Sequence, residues 1–477
     1  MASIPPRQRA RRILPLLLLT ALAFLGAAII GPRIMGPSGL AAGVPPNAVA
    51  ALASGPPEVA ASDRPSSTPT ASPTPTPSPT ASPGTSPGPS LSSSPLPTEP
   101  LLPTEPPLPA EPPSATLARR QALDRRLDDL RGRTGIPGIS VAIIFPDGTT
   151  WLGQSGLADI SAGTPVRADT AFAVASVTKT FTSALILDLV EDGLIRLDEP
   201  VLTYLPELAP NIDKAATVRQ LLDHTSGLRD FFLHPRIDKA LLGATYVRWD
   251  AADSLRYVGK PYFRPGRGWH YSNTNYLVLG LLAEAVSGEP LTDLYRTRML
   301  VPLGLDDTIY QPAGAGSGRA ARGYRFASAK LDEPAIDLSD GTGIVPFTSV
   351  ISAAAGAGGM ASSARDVATF GRALYTGKVL EPASLAAILG AIDRTERFDP
   401  RVPYGLGVQA IEIDGRRTYG HSGRLLGFRS VLRHLPDQGV TIAVLTNQSR
   451  TDPAFITRAL LRSALLPMDH CLCAARD

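Results

Sequence analysis

Strand patterns stand at the two ends of the foldable part of this chain, and a largely helical stretch lies between them. Near the start, Ile139-Ser140-Val141-Ala142-Ile143-Ile144-Phe145 reads as a buried strand, and Pro146-Asp147-Gly148 makes a tight turn into a second strand over 149–156. Near the end, strands are expected over 405–413, 418–420, 427–434 and 440–446, with turns at Asp414-Gly415 and Asp437-Gln438-Gly439. Such a distribution implies one sheet assembled from both termini, with the helical insert forming a second lobe. The expected fold class is α/β (α+β).

The helices are legible from apolar spacing. Leu123, Leu127 and Leu130 fall on one side of a helix over 117–131. A second runs from Val177 to Asp192, with Gly193 suited to its C-terminus. Val218 to Leu228 is a short helix ending in a polar turn, and 276–286 is a helix stopped by Ser287-Gly288. Gly356-Ala357-Gly358-Gly359-Met360 precedes a helix whose Ser363 and Asp366 have capping-box-like spacing. A terminal helix is expected over 453–466.

The first quarter of the chain is of another kind. Residues 1–36 join Arg7, Arg9, Arg11 and Arg12 to an apolar run from Ile13 to Ile30, the pattern of an export signal peptide or signal anchor. No Cys follows for lipid attachment, and no small-x-small cleavage site lies close behind, which favours an uncleaved anchor. The arginines place the remainder outside the cytoplasm by the positive-inside tendency. Residues 37–115 are rich in Pro, Ser, Thr and Ala and cannot bury a core, so they are expected to be a disordered linker. A folded domain over 116–468 and a tail over 469–477 complete the expected organisation.

Charge excludes some functions. The first 117 residues hold six Lys/Arg and five Asp/Glu, which leaves 40 basic against 38 acidic side chains for the rest. No nucleic-acid surface is expected from that balance. Contact with a membrane is expected through the N-terminal segment only. The two cysteines, Cys471 and Cys473, lie together in the tail and cannot cross-link distant parts of the fold. No H-E-x-x-H or comparable spacing occurs, so neither a metal nor a cofactor is implied.

The chemistry is concentrated around Ser176-Val177-Thr178-Lys179. A Ser three residues before a Lys stacks the two on one helical face. A primary alcohol needs an adjacent base to act as a nucleophile, and a lysine one turn away serves if part of it is neutral. Taken alone this spacing is common, and an N-cap with a surface lysine is the readier explanation of it. Two further elements follow in order: Tyr271-Ser272-Asn273 and His421-Ser422-Gly423.

With these three elements the chain resembles the serine β-lactamase/penicillin-binding-protein superfamily, whose S-x-x-K, Y-x-N and [KH]-[ST]-G motifs occur in that order. It is most similar to the branch of class C β-lactamases, D-alanyl-D-alanine carboxypeptidases and related esterases and aminopeptidases. HTSGL at His224, YSNTNY at Tyr271, PLG at Pro302 and GAGGM at Gly356 match that branch, and the resemblance spans roughly 116–466. It implies an antiparallel sheet flanked by helices plus an all-helical lobe, with the active site in the cleft between them.

The resemblance also implies roles. Ser176 would attack a carbonyl and carry the acyl group, while Lys179 and Tyr271 share the proton work, the ammonium favouring the phenolate. Asn273 would orient Lys179 and bind a substrate amide. His421, in place of the lysine of many relatives, would polarise Tyr271 or assist proton transfer. Ser422 would bind substrate, and Gly423 would let the strand edge approach it. The backbone N–H groups of Ser176 and Arg424 would form the oxyanion hole. His224 is read as structural, holding a turn.

One position departs from the carboxypeptidase-type pattern. Where those relatives carry an Arg for the substrate's terminal carboxylate, Tyr404-Gly405-Leu406-Gly407-Val408-Gln409 places Gln409, which cannot form a charge-assisted pair. Arg416, Arg417, Arg424 and Arg429 are the sequence candidates to replace it. The reading is an extracytoplasmic serine hydrolase acting through an acyl-enzyme on a small peptide, a cell-wall peptide, an amide or an ester. Within it, D-alanyl-D-alanine carboxypeptidase-like or esterase-like activity leads, with β-lactams as possible ligands. The alternatives are a β-lactamase and a non-catalytic wall-binding protein that keeps the fold.

Overall fold

The computed structural model describes residues 113–208, 211–314, 318–327, 333–390 and 403–465. The expected signal segment, nearly all of the expected linker, and the tail with Cys471 and Cys473 lie outside the described residues.

Helix α1 (Pro113–Thr134) opens the fold and ends where Gly135 takes a left-handed conformation (φ 62°) and donates its N–H to Arg131 O. Strands β1 (Gly138–Ile144), β2 (Thr150–Asp159) and the two-residue β3 (Thr164–Pro165) follow. The other four strands of the main sheet come from the far end of the chain: β4 (Gln409–Ile413), β5 (Arg416–Leu425), β6 (Phe428–Leu435) and β7 (Val440–Thr446). The seven form one sheet in the order β3-β2-β1-β7-β6-β5-β4. β1 and β7 join the two halves, antiparallel, with Ile139 opposite Thr446 and Ile144 opposite Thr441. This main sheet is the expected antiparallel sheet built from both termini, and the described residues also form a three-stranded and a two-stranded sheet.

β1, β6 and β7 are buried along their whole length because helices cover both faces. On one face α1 and the terminal α5 (Pro453–Leu465) pack Leu123, Leu127, Leu130, Ile456 and Leu460 against Ile139, Val141, Ile143 and Val444. Each such side chain contributes roughly 1.5–3 kcal/mol. On the other face α4 (Ala364–Tyr375) packs on the sheet, with α2 (Thr178–Glu191) against α4 and α3 (Asn273–Ser287) against α2. Phe181 of α2 stacks on Phe370 of α4 with ring centroids 3.6 Å apart. Ser363 caps α4, accepting from the Asp366 N–H at 3.2 Å, and α3 stops at Gly288 with φ 74°.

Two strands beside the site differ from expectation. β4 begins at Gln409 rather than 405, because Gly407 has φ 79° and breaks the extended run. β5 runs to Leu425 instead of stopping at 420. Its Gly- and Ser-rich end has low strand propensity, but pairing with β6 (Gly423 opposite Ser430) holds it extended.

Candidate active site

The turn before α2 carries Ser176. Residues Ala175–Val177 form a single 3-10 turn, and Ala175 sits at φ 50°, a region unfavourable for a residue with a Cβ. That strained turn is pinned from the sheet by Ser430, whose Oγ donates to Val174 O at 2.6 Å. Gly423 of β5 lies against the same turn. A Cβ on it would fall 2.1 Å from Ser430 Oγ and 2.3 Å from Val174 O. Only glycine lets the β5 backbone, with Arg424 next in line, come this close to Ser176.

Ser176 is half-buried, whereas Lys179, on the first turn of α2, is fully buried. Lys179 Nζ lies 3.2 Å from Ser176 Oγ, 2.7 Å from Asn273 Oδ1 and 2.6 Å from Ala357 O. Burial lowers its pKa from 10.5 to about 7, opposed by the charge of Asp230. A neutral amine has two N–H groups and one lone pair. Asn273 Oδ1 and Ala357 O are acceptors that take the two N–H groups, so the lone pair is directed at Ser176 Oγ.

Tyr271 reaches the same oxygen from the loop before α3, its phenol O–H donating to Ser176 Oγ at 2.9 Å. Burial pushes its pKa well above 10, with the Ser176 contact acting against that shift. Lys179 Nζ lies over the tyrosine ring, 5.0 Å from its centroid. The ammonium–phenolate pair expected from the resemblance is therefore not the resting state. The free site holds a phenol and an amine that is partly neutral near pH 7.

His421 is placed differently from expectation. Its Nδ1 lies 2.7 Å from Ser422 O and its Nε2 lies 2.9 Å from Tyr404 Oη, so both ring nitrogens are engaged away from Tyr271. Its ring is 6.3 Å from that of Tyr271, centroid to centroid. Burial, assisted by Lys179, keeps it neutral. Direct polarisation of Tyr271 by His421 does not fit this geometry.

His421 instead ends a directional chain. His224 Nδ1 accepts from the Ser272 N–H at 3.2 Å and faces Asn275 Nδ2 at 3.0 Å, so its proton is on Nε2, facing Tyr404 Oη at 3.3 Å. Tyr404 in turn donates to His421 Nε2, and His421 Nδ1–H donates to Ser422 O. Burial holds His224 neutral as well. With φ 65° and its ring 4.4 Å from that of Tyr271, His224 positions the Tyr271-Ser272-Asn273 loop.

Asn273, the first residue of α3, turns its amide nitrogen to the Asp230 carboxylate at 2.8 Å and its oxygen to Lys179. Ser422 is half-buried, and its hydroxyl accepts from Arg433 Nη2 at 2.7 Å. The same nitrogen donates to Gln409 Oε1 at 2.9 Å, and Gln409 Oε1 also accepts the Ser422 N–H at 3.1 Å. Arg433 is fully buried and, among the described residues, has no carboxylate in ion-pair contact. Burial lowers its pKa to about 10, so it stays charged at neutral pH. The cation behind Gln409 is thus Arg433 of β6, which was not among the sequence candidates.

Three residues were not singled out from sequence: Asp230, Tyr404 and Arg433. Asp230 lies two residues after the HTSGL segment and carries no motif of its own. Tyr404 stood only as an alignment marker, and Arg433 is an isolated charge in an apolar strand. That last oddity was the one available signal. Among the described residues no group of three or more His, Cys, Asp or Glu is arranged to hold a metal.

The β-lactamase family profile matches residues 123–466, which include every residue of this cluster. The chain belongs to the β-lactamase family. It is 32% identical over 339 residues to penicillin-binding protein 4 of Amycolatopsis lactamdurans, covering 68% of this chain and 84% of that protein. It is 27% identical to a D-aminopeptidase of Cereibacter sphaeroides over 72% of this chain, but spans only 63% of that relative's length. Among solved structures, a D-stereospecific amidohydrolase from Streptomyces superposes with a TM-score of 0.61 at 28% identity, over 73% of this chain and 98% of the other. The chain is accordingly a serine hydrolase of the β-lactamase/penicillin-binding-protein type.

Proposed function

We propose that this β-lactamase-family protein cleaves amide bonds of small peptides through an acyl-enzyme on Ser176. The observation that carries the reading is the placement of a buried lysine, with a pKa near 7, and a phenol O–H on the same serine oxygen. Lys179 takes the Ser176 proton as Oγ bonds to the carbonyl carbon, and the backbone N–H groups of Ser176 and Arg424 hold the oxyanion. Tyr271 gives its proton to the leaving amine. The phenolate then left is balanced by the ammonium formed in the same cycle. In deacylation water loses a proton to the Tyr271 phenolate and attacks the ester, and Ser176 leaves with the proton from Lys179. Asn273 and Ser422 bind the substrate backbone.

A D-configured residue on the acyl side is the preferred substrate class, by analogy with the D-aminopeptidase and D-stereospecific amidohydrolase relatives. A carboxypeptidase-like preference is a second reading, favoured by the buried Arg433 cation behind Ser422. The work is done outside the cytoplasm, with the N-terminal arginine-flanked apolar segment as its export signal or anchor. Purified protein is to be assayed against D-amino acid amides, D-Ala-D-Ala peptides, p-nitrophenyl esters and nitrocefin. Turnover of the D-amides or D-peptides, lost in Ser176→Ala, is expected. Rapid nitrocefin turnover without amidase activity would point to a β-lactamase, and no turnover of any of them would refute the reading.

A further inference from the structure

Asp230 belongs to none of the three motifs, yet its carboxylate lies directly behind Asn273. It is 1% exposed. Its Oδ1 accepts from the Phe232 N–H at 2.9 Å, and its Oδ2 accepts from the Asn273 backbone N–H at 2.9 Å and from Asn273 Nδ2 at 2.8 Å. Three N–H donors converge on it, which is the setting of an ionised carboxylate. Burial pushes its pKa up, while those donors and Lys179 pull it down.

The consequence falls on the Asn273 amide, whose oxygen and nitrogen are nearly the same in size and shape. A carboxylate oxygen 2.8 Å away accepts a hydrogen bond from Nδ2 but would repel Oδ1. The amide is therefore locked with Oδ1 toward Lys179 Nζ, at 2.7 Å. Turned over, it would present an N–H to Lys179 and draw the lysine lone pair to itself. Ser176 would then face an N–H of the lysine instead of its basic electron pair.

We propose that Asp230 is a positioning residue that, by fixing the orientation of the Asn273 amide, aims the lone pair of Lys179 at Ser176. This rests on the acyl-transfer reading of Ser176 and Lys179 given above. Asp230 also acts on Lys179 through its charge, favouring the ammonium against burial. The other groups facing Lys179 carry no competing charge. Tyr271 and Tyr276, whose ring centroids are 5.0 and 5.4 Å from Nζ, are kept as phenols by burial. His224 and His421 are kept neutral.

The test is the rate of Ser176 labelling by a fluorophosphonate, followed by mass spectrometry of the intact protein between pH 5 and 10. Wild type without a Ser176 adduct would refute the acyl-transfer reading itself, a result distinct from failure of this proposal. In Asp230→Asn the plateau rate is expected to fall at least tenfold, and the midpoint of the rise with pH to move to lower pH. Adding Asn273→Ala to that variant is expected to cost no more than Asn273→Ala alone. A purely structural role would lower thermal stability and leave the midpoint in place. Should Asp230→Asn not fold, the exchanged pair Asp230→Asn with Asn273→Asp keeps a buried carboxylate–amide contact. With the carboxylate now against Lys179, its midpoint moves above that of wild type. A wild-type midpoint in the exchanged pair, or wild-type plateau and midpoint in Asp230→Asn, would overturn the proposal.

Discussion

Lys179 and Ser176 face each other across 3.2 Å, the lysine fully buried and the serine half-exposed. That asymmetry divides the labour between them. Burial makes the amine less basic, so that part of it is neutral near pH 7 and free to take a proton, and exposure leaves the hydroxyl open to a substrate.

The first expectation concerns pH and rate. Acylation needs neutral Lys179, so its rate should rise with pH through about 7 and level off above it. Lys179→Ala should lower the rate by about 10²–10⁴-fold, the usual worth of general-base assistance. Stopped-flow acylation with a p-nitrophenyl ester measures both.

A second expectation concerns pH and stability, with the sign set by the direction of the lysine shift. The native state holds Lys179 neutral above about pH 7, whereas the unfolded chain keeps its proton up to about 10.5. Below pH 7 both states are charged and the native state bears the full desolvation cost. The contribution of Lys179 to stability therefore improves as pH rises from 7 to 10.5. Lys179→Met lacks this dependence. The difference in unfolding free energy between the two proteins should shift toward wild type across that window in denaturant titrations. A constant difference would speak against a depressed lysine.

Gly423→Ala tests the approach of β5 to the nucleophile turn. The added Cβ would lie 2.3 Å from Val174 O, a backbone atom with no rotamer to escape into. The strand must withdraw, at a cost of about 1–3 kcal/mol in stability. Acylation should fall by about 10²-fold as the Arg424 N–H moves out of place. Thermal unfolding and single-turnover kinetics together report both effects.

Arg433→Met removes the buried cation that donates to Ser422. Ser422 Oγ then loses its charge-assisted partner, and substrates with a free carboxylate should bind about tenfold more weakly, or about 1.4 kcal/mol. Amide-capped substrates should be unaffected. Comparing KM for a free and a capped D-peptide decides it, and equal effects on both would remove Arg433 from carboxylate recognition.

Much of this protein was legible in its residues, and the losses have physical causes. The apolar run of β1 and the spacing of Leu123, Leu127 and Leu130 encode burial directly, so the sheet and its first helix were readable. The end of β5 was not, because cross-strand pairing rather than local propensity makes His421-Ser422-Gly423 a strand. Ser176, Lys179, Tyr271 and Asn273 do come together in space. What sequence could not supply was direction. The neutrality of His421 follows from burial, the tautomer of His224 from Ser272 and Asn275, and the orientation of Asn273 from Asp230. Gln409 looked like a lost cation because the guanidinium arrives from β6, a strand that local alignment does not consult.

The most direct test of the account is to incubate the purified protein with a fluorescent penicillin or a fluorophosphonate and map the adduct by peptide mass spectrometry. The account predicts one covalent adduct, on the peptide that contains Ser176, lost in Ser176→Ala and formed more slowly below pH 7. An adduct that persists unchanged in Ser176→Ala, or no adduct with either probe, would contradict it.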